Sequence, residues 1–96
     1  MSSKENKGWA EFLSLCTTFK KVEDFDHFFA LFLTHEERET MASRFLIVKE
    51  LLENNLTQRE LSEQHHVSIS QITRGSNAIK SLDEKFKKSL ERKLKG

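Results

Sequence analysis

The segment from Leu56 to Lys80, LTQRELSEQHHVSISQITRGSNAIK, contains the side chains best suited to binding nucleic acid. Two stretches with helical spacing flank a short turn, as in a helix-turn-helix, whose second helix enters the major groove of DNA. The polar and basic residues on the outer face of the second stretch are Ser70, Gln71, Thr73, Arg74, Asn77 and Lys80. Such side chains donate to phosphates or base edges. A DNA-reading face is therefore predicted, and a helical hairpin with a solvated polar face is the alternative.

Two residues of this segment are unusual for the motif. Gly75 lies in the middle of the second predicted helix, where glycine costs about 1 kcal/mol relative to alanine. Close approach of a ligand or of DNA is a natural reason for a glycine there. The turn, which usually contains glycine, contains His65 and His66 instead. We therefore expect a turn that forms less easily than in most helix-turn-helix units.

The helices that position this segment are predicted from apolar spacing and from capping signals. A Ser or Thr followed three residues later by Glu or Gln marks a helix start. This pattern occurs at Thr34, Thr57 and Ser68, and Asp83 is the predicted N-cap of a last helix. The predicted helices span about residues 5–20, 24–32, 35–53, 58–65 and 69–81, with a sixth after residue 83, and Asn54-Asn55 ends the third. The expected inner seam of the helix-turn-helix consists of Leu61, Val67, Ile69, Ile72 and Ile79. The sequence thus predicts an all-α protein.

Composition excludes several other classes. The chain has 96 residues, no proline, no tyrosine and a single cysteine, Cys16, which predicts a single helical domain (1–96) without an internal disulfide. There is no nucleophile–base spacing, phosphate loop or set of metal ligands, so neither an enzyme nor a metal site is expected. No signal peptide or long apolar run is present, and a soluble cytoplasmic protein is the default.

Charge is distributed unevenly along the chain. The net charge is only +1, but residues 80–96 carry seven basic and three acidic residues, a local net charge of +4. This C-terminal segment could touch DNA or RNA, although a solvated face beside an apolar seam of Phe86, Leu90 and Leu94 is the simpler interpretation. DNA binding is permitted locally, with a modest electrostatic contribution.

The ITRGSN segment, with TQREL before it and LTHEER…SR…IV.ELL earlier, resembles the tryptophan repressor family from about Trp9 to Lys80. The resemblance implies an intertwined homodimer of six-helix chains. Residues 5–53 would form the dimerisation core, 56–81 the helix-turn-helix and 83–95 the C-terminal helix. It also implies a transcriptional repressor of tryptophan operon genes with L-tryptophan as corepressor.

The resemblance further implies which residues bind the corepressor. The indole would lie between Arg44 and Arg74, since a guanidinium plane stacks on an aromatic face. Gly75 would lie beside the indole. Backbone carbonyls at Leu31 and Leu33 would face the ammonium group, with Thr34 nearby. Ala78 replaces a family serine that helps to hold the ammonium group, which removes a hydrogen bond on the order of 1.5–3 kcal/mol unless another group substitutes.

On DNA, the positions that match the family's DNA-facing surface are Gln58, Arg59, Ile69, Ser70, Thr73 and Lys80, to which the outer face adds Gln71 and Asn77. Dimer symmetry implies a palindromic operator. Two alternatives stay open: a repressor of the same fold with another effector or none, because of Ala78, and a helical protein-interaction module that does not bind DNA.

Overall fold

The computed structural model describes residues 3–53 and 56–96, and this part of the chain forms six α-helices and no β-strand. The helices are α1 (Ser3–Cys16), α2 (Val22–Ala30), α3 (His35–Glu53), α4 (Gln58–His65), α5 (Ile69–Lys80) and α6 (Glu84–Lys95). The predicted all-α class is confirmed. The predicted helix end at Asn54-Asn55 lies outside the described residues. Over the described ranges, no helix has the length and apolar character needed to span a membrane.

The first two helices differ from the prediction at their ends. Helix α1 ends at Cys16 because the hydroxyls of Thr17 and Thr18 donate to the carbonyls of Ser14 and Leu15, each at 2.7 Å. Such hydroxyl-to-carbonyl bonds compete with continuation of a helix. Helix α2 begins two residues earlier than predicted, since the last extended residue is Lys21, with φ −96° and ψ 139°.

The chain divides into two compact units, Met1–His35 and Glu36–Gly96. In the first unit, aromatic rings hold α1 against α2. Phe12 stacks on Phe28 with ring centroids 5.4 Å apart and meets Phe29 and Phe32 edge-on at 5.8 and 5.7 Å. Stacked and edge-to-face pairs at such distances stabilise by about 0.5–1.5 kcal/mol beyond their buried area.

The second unit has an aliphatic core in which α3, α4, the turn and α5 meet. Ile47, Leu61 and Ile72 are essentially inaccessible to solvent, and Val67 is buried beside them. Leu61, Val67 and Ile72 thus form the predicted seam, and Ile79 is half-buried. The prediction is wrong for Ile69, which is 52% exposed. Ile69 lies about 60° around the helix from Ile72, on the side away from the rest of the core.

Candidate functional site

The predicted DNA-reading unit consists of α4, the turn and α5, and is here called the reading unit. Both of its helices begin with a complete capping box. Thr57 Oγ1 accepts from Glu60 N at 3.1 Å, and Glu60 Oε1 accepts from Thr57 N at 3.0 Å. At α5, Ser68 Oγ accepts from Gln71 N and Gln71 Oε1 accepts from Ser68 N, both at 3.2 Å. Each box satisfies two backbone donors that the helix itself leaves unpaired. The two predicted starts are therefore confirmed.

The carboxyl group of Glu60 is affected by this geometry. The backbone N–H of Thr57, and then its side chain, hydrogen-bond the carboxylate and hold the pKa of Glu60 below its ordinary value of 4.5. Hydrogen bonds to the charged form of an acid favour that form. The first turn of α4 is consequently better held when Glu60 is ionised.

The turn between α4 and α5 forms without glycine. His66 adopts the left-handed conformation, with φ 53° and ψ 43°, that glycine usually supplies at this point. For a residue with a Cβ, this conformation costs about 1–2 kcal/mol. The hydroxyl of Ser62 donates to the carbonyl of Val67 at 2.6 Å across the turn, and the Val67 side chain is buried. These interactions offset the strain at His66.

Helix α5 approaches α3 closely at Gly75. A Cβ on this buried glycine would lie 3.0 Å from Ile47 Cγ2 and 3.6 Å from Leu51 Cδ1. Contact with α3 is therefore one close approach that the glycine permits, and its place beside a ligand stays a prediction. A second link to α3 comes from α4, where His65 Nε2 lies 3.8 Å from Glu50 Oε1. That distance is beyond a hydrogen bond, so the reading unit is held to α3 mainly by the buried cluster of Ile47, Leu61, Val67 and Ile72.

The predicted DNA-contacting positions are all exposed: Gln58, Arg59, Ile69, Ser70, Gln71, Thr73, Asn77 and Lys80. Three of these side chains have partners within the protein, and the first is Ser70, whose Oγ lies 3.1 Å from Ser68 Oγ. The Oε1 atom of Gln71 is engaged in the capping box, which leaves its amide group to donate. Arg59 Nε donates to Glu63 Oε1 at 3.3 Å, and both side chains remain largely in solvent. The capped unit therefore presents an outer face of hydrogen-bond donors suited to phosphates and base edges.

The residues predicted to bind the corepressor fall in both units. In the second unit, Arg44, Arg74 and Ala78 are exposed and Gly75 is buried. Arg74 adjoins Gly75 in α5, and Arg44 lies one helical turn before Ile47 in α3. Both arginines are thus close in sequence to the two residues of this contact, on the same two helices.

The remaining predicted ligand positions follow α2 in the first unit. Leu31 is 75% exposed, Leu33 is half-buried and Thr34 is exposed. The backbone N–H groups of Leu31 and Leu33 donate to the carbonyls of Phe28 and Phe29 at 3.2 and 3.0 Å, so this short segment continues the turn of α2.

Two residues have structural roles that their sequence neighbourhood does not reveal. The hydroxyl of Ser62 bridges the turn to the carbonyl of Val67. Ile47 sets the distance between α3 and α5 at Gly75. No local pattern distinguishes either residue, because both roles depend on how the helices pack.

The comparisons with known proteins agree with one another. The family model described as Trp repressor protein matches residues 7–94. A Trp operon repressor homolog of Chlamydia caviae is 61% identical over 89 residues, which covers 93% of this chain and 87% of the relative. A protein of the same name from Chlamydia trachomatis serovar D is 48% identical over 94 residues, covering 98% of this chain and 100% of the relative. A more distant one from Vibrio vulnificus (strain YJ016) is 35% identical over 92 residues, 96% of this chain and 90% of the relative.

Proposed function

Because the chain belongs to the Trp repressor family of DNA-binding transcriptional repressors, we propose that it represses tryptophan operon genes in the cytoplasm when L-tryptophan is bound as corepressor. The observation that carries the proposal is the capped and exposed reading unit, in which Gly75 of α5 lies against Ile47 of α3. Arg44 and Arg74 are exposed on these same two helices. No catalytic role is proposed, since the family is regulatory.

The mechanism is thermodynamic linkage between ligand and DNA. An indole between two guanidinium planes is held by stacking and by attraction between the cation and the ring. Arg44 belongs to α3 and Arg74 to α5, so a ligand held by both would restrict the angle of α5 relative to α3. Such a restriction favours the arrangement that fits the major groove. By reciprocity, operator DNA would then raise the affinity for L-tryptophan by the same factor.

The deciding experiment is fluorescence anisotropy of a labelled palindromic tryptophan operator titrated with the protein at fixed salt. We expect L-tryptophan at saturation to tighten binding by about tenfold or more, a coupling of about 1.4 kcal/mol. The matched variant is Arg74→Lys, which keeps the charge near DNA but loses the flat guanidinium, and should lose the response to L-tryptophan. Unchanged operator affinity at saturating L-tryptophan would refute the corepressor role.

A different effector is the second candidate, favoured by the residue at position 78. Ala78 has no side-chain donor or acceptor for an ammonium group. Calorimetric titration with L-tryptophan and with indole-3-propionate, which lacks the ammonium group, separates the two candidates. Equal or tighter binding of the propionate would point to the other effector. In Ala78→Ser, we expect L-tryptophan to bind about tenfold more tightly, because a hydrogen bond to a charged group is restored.

We also propose a homodimer, which the exposed apolar side chains of both units support. Trp9 and Phe32 are 61% and 57% exposed in the first unit, and Phe45 and Phe86 are 54% and 55% exposed in the second. Apolar side chains exposed in such numbers are typical of an interface. Light scattering should give twice the chain mass of 11.3 kDa. Fluorescence of Trp9, the single tryptophan, should shift to shorter wavelength as the protein is concentrated from a dilute solution.

The remaining alternative is an interaction module that does not bind DNA. Arg74→Ala distinguishes it from either repressor, because Arg74 is exposed and would be functionally silent as simple surface charge. Loss of operator binding in Arg74→Ala, with unchanged helicity and thermal midpoint, would exclude the module.

A further inference from the structure

Helix α6 presents a row of cations that the reading unit does not include. This row, here called the basic stripe, lies within about 80° of arc on one side of the helix. It consists of Lys85, Lys88, Arg92 and Lys95. All four side chains are exposed. The row is about 15 Å long at the rise of an α-helix.

The basic stripe is not neutralised within the described part of the chain. None of its four side chains forms an ion pair there with a carboxylate. The acidic residues of the same helix, Glu84 and Glu91, lie together along one edge of the stripe, and α6 as a whole carries six basic and two acidic residues. A row of unpaired cations attracts a polyanion more than it stabilises the fold, since exposed charges contribute little to folding.

The opposite side of α6 is only partly covered by this chain. Leu90 and Leu94 are half-buried, with Leu52 of α3 and Leu94 lining a cavity of about 310 Å³, while Phe86 is 55% exposed. An interfacial membrane helix needs its apolar face for the lipid, whereas Leu90 and Leu94 are half-covered by this chain and Phe86 belongs to the proposed dimer interface. The polyanion favoured by these observations is therefore a nucleic acid rather than a lipid surface.

Duplex DNA is complementary to the basic stripe in charge, and the spacing of its phosphates suits the spacing of the four cations. Each strand carries a phosphate about every 3.4 Å of helix axis, so successive cations along about 15 Å can reach different phosphates. Lysine and arginine on one helix face can contact the backbone without reading bases. The match requires no particular base sequence and no bound effector.

We propose that the basic stripe of α6 is a second DNA-binding surface, which binds the phosphate backbone of duplex DNA independently of sequence and of L-tryptophan. It would supplement the outer face of α5, whose C-terminal residue Lys80 precedes α6 by a short connection. Each phosphate contact releases counterions, so the surface raises affinity for any duplex and steepens the dependence of affinity on salt.

The test compares two triple variants of equal charge change on a random-sequence duplex without L-tryptophan. One is Lys85→Gln/Lys88→Gln/Arg92→Gln, and the control is Lys7→Gln/Lys20→Gln/Lys21→Gln, which alters exposed lysines of the first unit. Glutamine is a good helix former, so both should fold, as circular dichroism will verify. The slope of log K against log salt is negative, and each lost contact makes it shallower by about 0.9. We expect the slope to become shallower by about 2 or more in the stripe variant and to stay almost unchanged in the control.

Protection of lysines in the unaltered protein gives an independent readout. With the duplex bound, acetylation of Lys85, Lys88 and Lys95 should slow, while that of Lys7, Lys20 and Lys21 should not. Equal changes of the salt slope in the two triple variants would overturn the proposal, and so would uniform protection of all lysines. Binding of the unaltered protein to anionic vesicles, with the same DNA salt slope in the stripe variant as in the unaltered protein, would also overturn it. If operator binding proves independent of L-tryptophan but the stripe result holds, the corepressor role fails and this proposal stands.

Discussion

Gly75 in α5 lies so close to Ile47 in α3 that a Cβ at position 75 would come within 3.0 Å of Ile47 Cγ2. Ile47 is only 1% exposed and is packed against Leu61, Val67 and Ile72. Its branched side chain has little rotamer freedom in a helix. The methyl group therefore cannot easily move aside, and the distance between α3 and α5 depends on the absence of a side chain at Gly75.

Replacement of this glycine tests the contact. In Gly75→Ala, the gain in helix propensity of about 1 kcal/mol is outweighed by overpacking of about 1–3 kcal/mol. We expect a net loss of about 1 kcal/mol in the free energy of unfolding, measured in urea. The control is Gly8→Ala, where a Cβ would meet nothing within 4 Å, and which should stabilise the protein. In the double variant Gly75→Ala/Ile47→Leu, which lacks the Cγ2 methyl group, part of the lost stability should be recovered. If Gly75→Ala alone stabilises the protein, the contact with Ile47 is not tight.

The left-handed turn residue predicts a stabilising substitution. His66→Gly should raise the free energy of unfolding by about 0.5–1 kcal/mol, because glycine adopts the φ of 53° without strain. His66→Ala is the matched control, since it removes the imidazole but keeps the Cβ. Its stability should stay close to that of the unaltered chain. Equal gains in the two variants would assign the effect to the imidazole instead of the backbone.

The bridge across the turn predicts a larger loss than its single hydrogen bond suggests. Ser62→Ala leaves the Val67 carbonyl in a partly buried place without its 2.6 Å donor. We expect a loss of about 1–2 kcal/mol, since an unsatisfied buried acceptor is costly. Ser81→Ala is the control, because Ser81 Oγ donates to the Asn77 carbonyl at 3.2 Å where solvent can replace it. Similar denaturation midpoints for the two variants would argue against a bridge that matters for stability.

The capping box of α4 predicts a pH dependence. The pKa of Glu60 is lowered in the folded state from 4.5, chiefly by the backbone N–H of Thr57. An acid with a lowered folded pKa stabilises the fold above its unfolded pKa and loses this contribution as pH falls through the folded pKa. The unaltered chain should therefore exceed Glu60→Gln in stability at pH 7. Urea denaturation should show the difference shrinking below pH 4.5, and a difference constant down to pH 3 would contradict the prediction.

The helix starts of the reading unit could be predicted from sequence because capping is local. Thr57 with Glu60 and Ser68 with Gln71 are each three residues apart, and the bonds they form need only the first turn of a helix. Apolar spacing likewise predicted burial of Leu61 and Ile72. The outer face of α5 followed from the same periodicity, since it is the face opposite the buried seam. Gln58, Arg59 and Ile69 were DNA-facing only by the family resemblance.

Residues whose role depends on packing between helices were beyond such reasoning. The spacing around Gly75 indicated that something approaches it closely, but only the packed helices identify Ile47 as the neighbour. Periodicity placed Ile69 in the seam, whereas the centre of the contact lies toward Gly75 and leaves Ile69 exposed. Spacing alone would have treated Arg44 as an ordinary surface residue, and family resemblance supplied its proposed role. Local hydrogen bonds and periodicity determine each helix, while the distances and angles between helices arise only when their faces pack together.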